Sequence, residues 1–463
     1  MTQAELESDH GFILNETPKT EDPIIIKVIG VGGGGSNAIS HMYSQGIPHI
    51  SYALCNTDRQ ALNSSPVPTK VLIGPSVTKG LGAGNDPVVA REAAEESVPE
   101  IKKLLEDETQ MVFITAGMGG GTGTGAAPVV AKVAHEMGLL TIGIVTIPFL
   151  LEGETKILKA LKGVKEMSKH VDALLVINNE ILIEDFGMLD FISAVAKADD
   201  TLSNAAKSIA EIIYSKGYIN LDFRDVATTL RNSGQAIIST GYGEGEKRVT
   251  AAVNDALNSP LLRHNDINSS SRILFNLYFS SKSKTPLLMS EIDEFKAFTR
   301  KISGLDMIYG VAFDDTLGDK VKVSILAAGI KSEVLSEDDD DFEELKGKRY
   351  VDEQDDERSP RSKQPTDREL DTLRNLYGGE KVDIFKEHRE AQNFIILTRE
   401  QMENDRILEL LETTPAYNRG QNRAEAIRAG QKNENPEDGL FLFGESPSND
   451  GKSKDNDNSV ISF

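Results

Sequence analysis

Two glycine-rich turns constrain this chain more than anything else in it. The first, Gly30-Val31-Gly32-Gly33-Gly34-Gly35-Ser36-Asn37, follows a short β-branched run, Ile24 to Ile29, and leads into helical sequence from Ser36 to Ser44. The second, Ala116-Gly117-Met118-Gly119-Gly120-Gly121-Thr122-Gly123-Thr124-Gly125, follows Met111 to Thr115 and leads into a helical run from Ala126 to Met137. Glycine after a strand lets the backbone take positive φ and approach a ligand closely, so that successive N–H groups aim at one point. The N-terminus of the following helix adds partial positive charge, which suits phosphate. Alone, the first turn fits a dinucleotide fingerprint, with Asp58 about 23 residues past Gly35, near the place of a ribose-binding acid. On that turn a nicotinamide-dependent oxidoreductase and a polyphosphate site stand level. A dinucleotide domain needs only one such turn. The second favours two edges of one polyphosphate, with hydroxyls from Thr122 and Thr124. A Walker-type loop is absent, because Gly451-Lys452-Ser453 lacks the upstream glycine.

Around these turns, apolar runs and helical runs alternate. Ile50 to Cys55, Leu140 to Ile147 and Ala173 to Ile177 read as strands; Pro87 to Leu105 and Lys156 to His170 read as helices. The pattern predicts a doubly wound α/β domain with a mostly parallel, Rossmann-like sheet over residues 23–188, after a disordered leader, 1–22. A long central helix over 189–216 carries Ile192, Val195, Leu202, Ala206, Ile209 and Ile213 at three- and four-residue steps, with Gly217 as its C-cap. A smaller α+β domain over 217–332 has strands at Ala236–Ser239, Arg272–Ser280, Met307–Phe313 and Lys320–Ala327, and helices at Arg248–Asn258 and Glu291–Lys301.

The remainder, 333–463, is acidic and poor in apolar residues and carries about 14 of the 23 net negative charges, so it reads as a largely disordered tail. Within it, the capping-box spacing of Thr398 to Gln401 before Met402, Ile407, Leu408 and Leu411, and the apolar clusters Phe394–Leu397 and Leu440–Phe443, read as short helical or docking segments. A net charge of −23 argues against a nucleic-acid partner. The single Cys55 sits in an apolar run and reads as a buried, inert thiol in a reducing compartment. The seven scattered His make no metal-ligand spacing, and no apolar run reaches the ~18 residues of a membrane span. These features place the protein in the cytoplasm, without direct membrane insertion and without a protein-held metal.

The run Gly119 to Gly125 resembles the tubulin signature loop, and the loop Gly32 to Asn37 is similar to that of the FtsZ branch of the tubulin family. Thr78-Lys79-Gly80-Leu81-Gly82-Ala83-Gly84 resembles the family's third phosphate loop, and Asn220-Leu221-Asp222-Phe223-Arg224-Asp225-Val226 the loop that completes its GTPase site. The resemblance runs from Ile24 to Ile330 in the family's order. It implies a GTPase that binds GTP/GDP with Mg²⁺ and assembles head-to-tail into protofilaments of a cytokinetic ring at midcell. It places Gly33, Gly34, Gly35, Ser36, Asn37, Ala83, Gly84, Gly120, Gly121, Thr122, Gly123 and Thr124 on the phosphates. Glu152 and Asn179 would meet the ribose and base region and Asp200 the guanine, while Asn220, Asp222 and Asp225 would be catalytic. Lys156 stands where the family often has arginine and keeps the charge without the bidentate fork. The family's Ile-Pro-Asn-Asp run is Ile177-Asn178-Asn179-Glu180 here. No Asp-Ile-Pro-x-Phe type peptide ends the tail, so which division proteins or membrane adaptors read it stays open. Spacing alone also fits Asp222 and Asp225 as mere caps of a helix beginning near Val226, and intact loops could in principle serve a non-catalytic scaffold.

Overall fold

The computed structural model describes residues 24–181, 191–259, 267–299, 306–330, 367–379, 381–383 and 404–413. The leader, the acidic run Glu337–Asp341, the clusters at 394–397 and 440–443 and the capping-box residues 398–401 lie outside them. Eleven strands form one sheet: β1 Ile26–Val31, β2 Ile50–Asn56, β3 Thr69–Leu72, β4 Met111–Gly117, β5 Leu140–Ile147, β6 Ala173–Asn178, β7 Gly217–Ile219, β8 Gly234–Gly243, β9 Arg272–Phe279, β10 Asp306–Phe313 and β11 Val321–Ile330. Their order is β3-β2-β1-β4-β5-β6-β8-β11-β9-β10-β7. The first six are mutually parallel, which requires helical crossovers covering both faces. Accordingly every residue of β1 is buried. Even Lys27 is buried, its Nζ reaching the Leu104 carbonyl and the Asp107 carboxylate at the strand's edge.

The two predicted domains share this sheet. β6 pairs parallel with β8 at Ala173–Gly234 and Leu174–Gln235, and beyond that seam the pairing becomes mixed, β11 running antiparallel to β8 and β9. The helix Phe191–Tyr214 packs under the seam. Leu202, Ala206, Ile209 and Ile212 join one core with Phe113, Ile142, Leu175, Ile238 and Leu326. A second core forms where the helix Arg248–Leu257 lies against β8, β9 and β11. Cys55 is buried in the parallel half, and burial pushes its thiol up to about 12, as an inert thiol requires.

Three expectations change. The run Pro87–Leu105 is two helices, Pro87–Glu96 and Val98–Leu105, because Pro99 sits in the first turn of the second, where its missing N–H costs nothing. Gly217 is no left-handed cap. It opens β7 on β10, where an added Cβ would stand 2.1 Å from the Val311 carbonyl oxygen. The helices after the two glycine turns begin at Gly32 and Thr122, earlier than Ser36 and Ala126, so the glycines themselves form the helix N-termini. Asp367–Tyr377 and Asp405–Thr413 are helical; the second covers Ile407, Leu408 and Leu411, and the first has no counterpart in the sequence reading.

Candidate active site

The glycine turns leave the C-terminal ends of the adjacent strands β1 and β4, where open parallel sheets bind ligands. They touch without side chains between them: an added Cβ on Gly32, whose φ is +73°, would lie 2.7 Å from the Gly123 nitrogen. The third loop closes from the other side, a Cβ on Gly121 falling 2.9 Å from the Asp86 nitrogen. Hydroxyls tie the cluster together. Thr57 and Thr122 share a 2.8 Å hydrogen bond, and Thr124 Oγ1 accepts from the Gly119 N–H at 2.8 Å. Over Gly33, Gly84 and Gly120, by contrast, an added Cβ would meet nothing within 4 Å. Gly34 and Asn37 are exposed, Gly35 and Ala83 buried. Ser36 Oγ is buried without a partner. The result is three glycine loops packed together, each with open space over one glycine, and a buried hydroxyl still unsatisfied.

The next edge is built by the loop after β5 and the end of β6. Glu152 pairs with Lys156 one helical turn on, and its Oε1 accepts from the Phe149 N–H at 2.9 Å. Glu180 Oε2 accepts from the Leu150 N–H at 3.0 Å. Asn179 Oδ1 is buried and unpartnered. Asp200 Oδ1 lies 2.8 Å from His41 Nε2, tying the central helix to the helix after β1. His41 and Thr57 escaped the sequence reading. Only Thr57 carried a signal, a polar residue just past the C-terminal end of a parallel strand.

The acidic residues lie elsewhere. Asn220 Oδ1 accepts from the Gly217 N–H at 2.7 Å, closing the turn after β7. Asp222 caps the helix Phe223–Leu230, its Oδ1 accepting from the N–H groups of Arg224 (2.7 Å) and Asp225 (3.0 Å), while Asp225 Oδ2 accepts from the Asp222 N–H at 2.9 Å. The capping role is therefore real, and the helix starts at Phe223, not near Val226. Each carboxylate uses one oxygen in the cap. Leu221 is buried against β10 at Gly310, where an added Cβ would meet the Leu221 side chain at 2.7 Å. β7 is the eleventh strand of the order and β4 the fourth, a path across the sheet of about 34 Å at roughly 4.8 Å per strand. The phosphate loops and the acidic loop of one chain do not meet.

The description "Tubulin/FtsZ family, GTPase domain" matches residues 25–187, and "FtsZ family, C-terminal domain" matches residues 234–331. The cell division protein FtsZ of Porphyromonas gingivalis is 48% identical over 401 residues, which cover 86% of this chain and 86% of that protein.

The chain belongs to the FtsZ family.

FtsZ of Aquifex aeolicus is 42% identical over 313 residues, covering 67% of this chain and 84% of its own. A solved structure of an empty FtsZ dimer from M. jannaschii superposes with a TM-score of 0.60 at 39% identity, covering 67% of this chain and 89% of that one. Membership makes this chain a tubulin-like GTPase and removes the oxidoreductase reading. Asp58, the acid that reading needed, caps the helix Arg59–Ser64, its Oδ1 accepting from the Gln60 N–H at 2.8 Å and the Ala61 N–H at 3.1 Å. Among the described residues of this FtsZ-family chain, no helix is long and apolar enough to cross a membrane.

Proposed function

We propose that this chain holds GTP across its three glycine loops and hydrolyses it only where the acidic loop of a second copy covers them. The GTPase activity, the homopolymer and the part in cell division are those of the family; the division of labour between residues is the reading offered here. Gly33 to Asn37, Ala83-Gly84 and Gly120 to Thr124 would bind the phosphates by backbone N–H groups and hydroxyls, Glu152 and Asn179 the ribose side, and Asp200 the guanine. Three features support the fit: open space over Gly33, Gly84 and Gly120, the unpartnered Ser36 hydroxyl, and the unpartnered Asn179 amide oxygen. A buried polar atom without a partner costs free energy that a ligand can recover. Mg²⁺, when bound, would neutralise charge on the phosphates, held largely by water.

The observation that carries the reading is the strand order, which sets the acidic loop after β7 seven strand positions from the second glycine turn after β4 within one subunit. Stacking copies head to tail brings the acidic loop of one against the phosphate loops of the next, an open heterologous contact that builds filaments. Asp222 and Asp225 then orient and polarise the attacking water with their uncommitted oxygens, and Asn220 keeps the turn in shape. Phosphoryl transfer needs little more than position and charge stabilisation from the protein. The tail would serve division proteins or membrane adaptors, which places the filament in the cytoplasm at the division septum. Purified protein should turn over GTP in Mg²⁺, lose that activity in EDTA, and retain no nicotinamide absorbance. GTP turnover that persists undiminished in EDTA would contradict the metal's part in this reading.

A further inference from the structure

The helix Asp367–Tyr377 lies beyond both matched regions, yet it belongs to the same compact unit as they do. Leu373 and Tyr377, one turn apart, are 2% and 3% exposed, while Asp371, Arg374 and Asn375 face solvent. Two of its attachments, at Pro148 and Asn178, fall just past the C-terminal end of β5 and at that of β6. The Tyr377 hydroxyl donates to the Pro148 carbonyl at 2.6 Å in a buried contact. Asn178, the last residue of β6, donates from Nδ2 to the Leu376 carbonyl at 2.8 Å, satisfying one of the carbonyls that a helix end leaves open. Glu369 pairs with Lys162 at 3.5 Å. Asn178 stands where the family's run has proline, which has no side-chain donor.

Pro148 leads directly to the second glycine turn. A Cβ on Gly119, whose φ is +101°, would lie 2.9 Å from both Pro148 Cγ and the Lys156 carbonyl oxygen. The appended helix, Pro148, Lys156 and the phosphate turn are thus one contiguous stack. Burial, together with the nearby Glu180 and Glu152 carboxylates, pushes the Tyr377 phenol up, so it remains a protonated donor at any physiological pH.

We propose that this helix is a third wall of the nucleotide site and that Tyr377 is a positioning residue, holding Pro148 and through it the Gly119–Thr124 turn in the shape that retains nucleotide. The proposal rests on the glycine loops being the GTP site. Its test is GDP release, measured by stopped flow on the full-length protein. Tyr377→Phe keeps the buried ring and removes only the hydroxyl. It should speed GDP release and raise KM for GTP about fivefold, the scale of one buried hydrogen bond, with the effect on KM larger than that on kcat. Leu373→Asp should undock the helix, speed release at least as much, and raise amide exchange over residues 148–156. Wild-type release from Tyr377→Phe would overturn the proposal. So would faster release that merely tracks a lowered melting temperature, since that assigns the hydroxyl a purely structural role. Gly120→Ala serves as the control on the underlying reading: if it too releases GDP at the wild-type rate, the glycine loops are not the site and both ideas fall together.

Discussion

The glycine loops and the acidic loop treat their polar groups in opposite ways. The glycine loops leave Ser36 Oγ without a partner, with Asn179 Oδ1 unpartnered on the adjoining edge, and face open space at Gly33, Gly84 and Gly120. The acidic loop satisfies itself: Asn220, Asp222 and Asp225 each accept a backbone N–H within it, and Leu221 pins it to β10 at Gly310. A region that waits for a ligand keeps unpaired groups in a rigid frame. A region that must enter another subunit's site needs its shape fixed beforehand, because positioning carries most of the rate in phosphoryl transfer. Under the proposed function the capping box would aim the carboxylates, and a cap that uses one oxygen of Asp222 leaves the other for the water.

The comparison breaks most sharply at Asp222→Asn. Asn caps helices about as well as Asp, so the variant should keep its melting temperature, bind GTP and assemble. GTP turnover should nevertheless fall by about 10²-fold or more, the range for removing a group that orients and activates water. Full turnover by Asp222→Asn would leave the residue a cap and nothing else. Asp222→Ala should show the same kinetic loss plus about 1 kcal/mol of destabilisation from the missing cap, read by urea titration.

Within the glycine loops, two substitutions of the same size should separate. Gly123→Ala would put its Cβ 2.3 Å from the Gly117 carbonyl oxygen, and backbone there cannot yield; both folding and nucleotide binding should suffer, by about 1–3 kcal/mol in stability. Gly120→Ala meets nothing within 4 Å, so thermal melting should match wild type while nucleotide affinity, followed by calorimetry, falls roughly tenfold as the methyl occupies ligand space. Ser36→Ala is the mildest. Removing an unpartnered buried hydroxyl should leave stability unchanged or slightly raised and weaken GTP binding about fivefold, one hydrogen bond's worth. An Ser36→Ala protein that melts several degrees lower would mean the hydroxyl already has a structural partner.

What could be read from the residues follows physical lines. β1, β2, β4, β5 and β6 announced themselves as mainly apolar runs, because strands covered on both faces need no polar alternation. β3, Thr69–Leu72, lies at the sheet's edge with no residue fully buried, and so left no run to find. Pro87–Leu105 kept helical character across its break, and only Pro99 marked the new start. The glycine turns and the acidic loop were recognisable as motifs, and the long central helix between them already implied a separation of about a domain diameter; what the residues did not show is that β7 joins the far edge of the sheet through β10. The helix Asp367–Tyr377 was hidden in an acidic stretch whose few apolar residues mean little until Pro148 and Asn178 are seen opposite them. Asn178 itself looked like a departure from the family pattern, and the structure shows what it holds.

The central claim is that no subunit hydrolyses GTP alone. It is tested most directly by turnover per subunit in Mg²⁺ over a wide range of protein concentration. The account predicts negligible activity below a threshold, then a rise that coincides with assembly measured by light scattering in the same samples. Turnover per subunit that stays constant down to concentrations where scattering shows only single chains would contradict it.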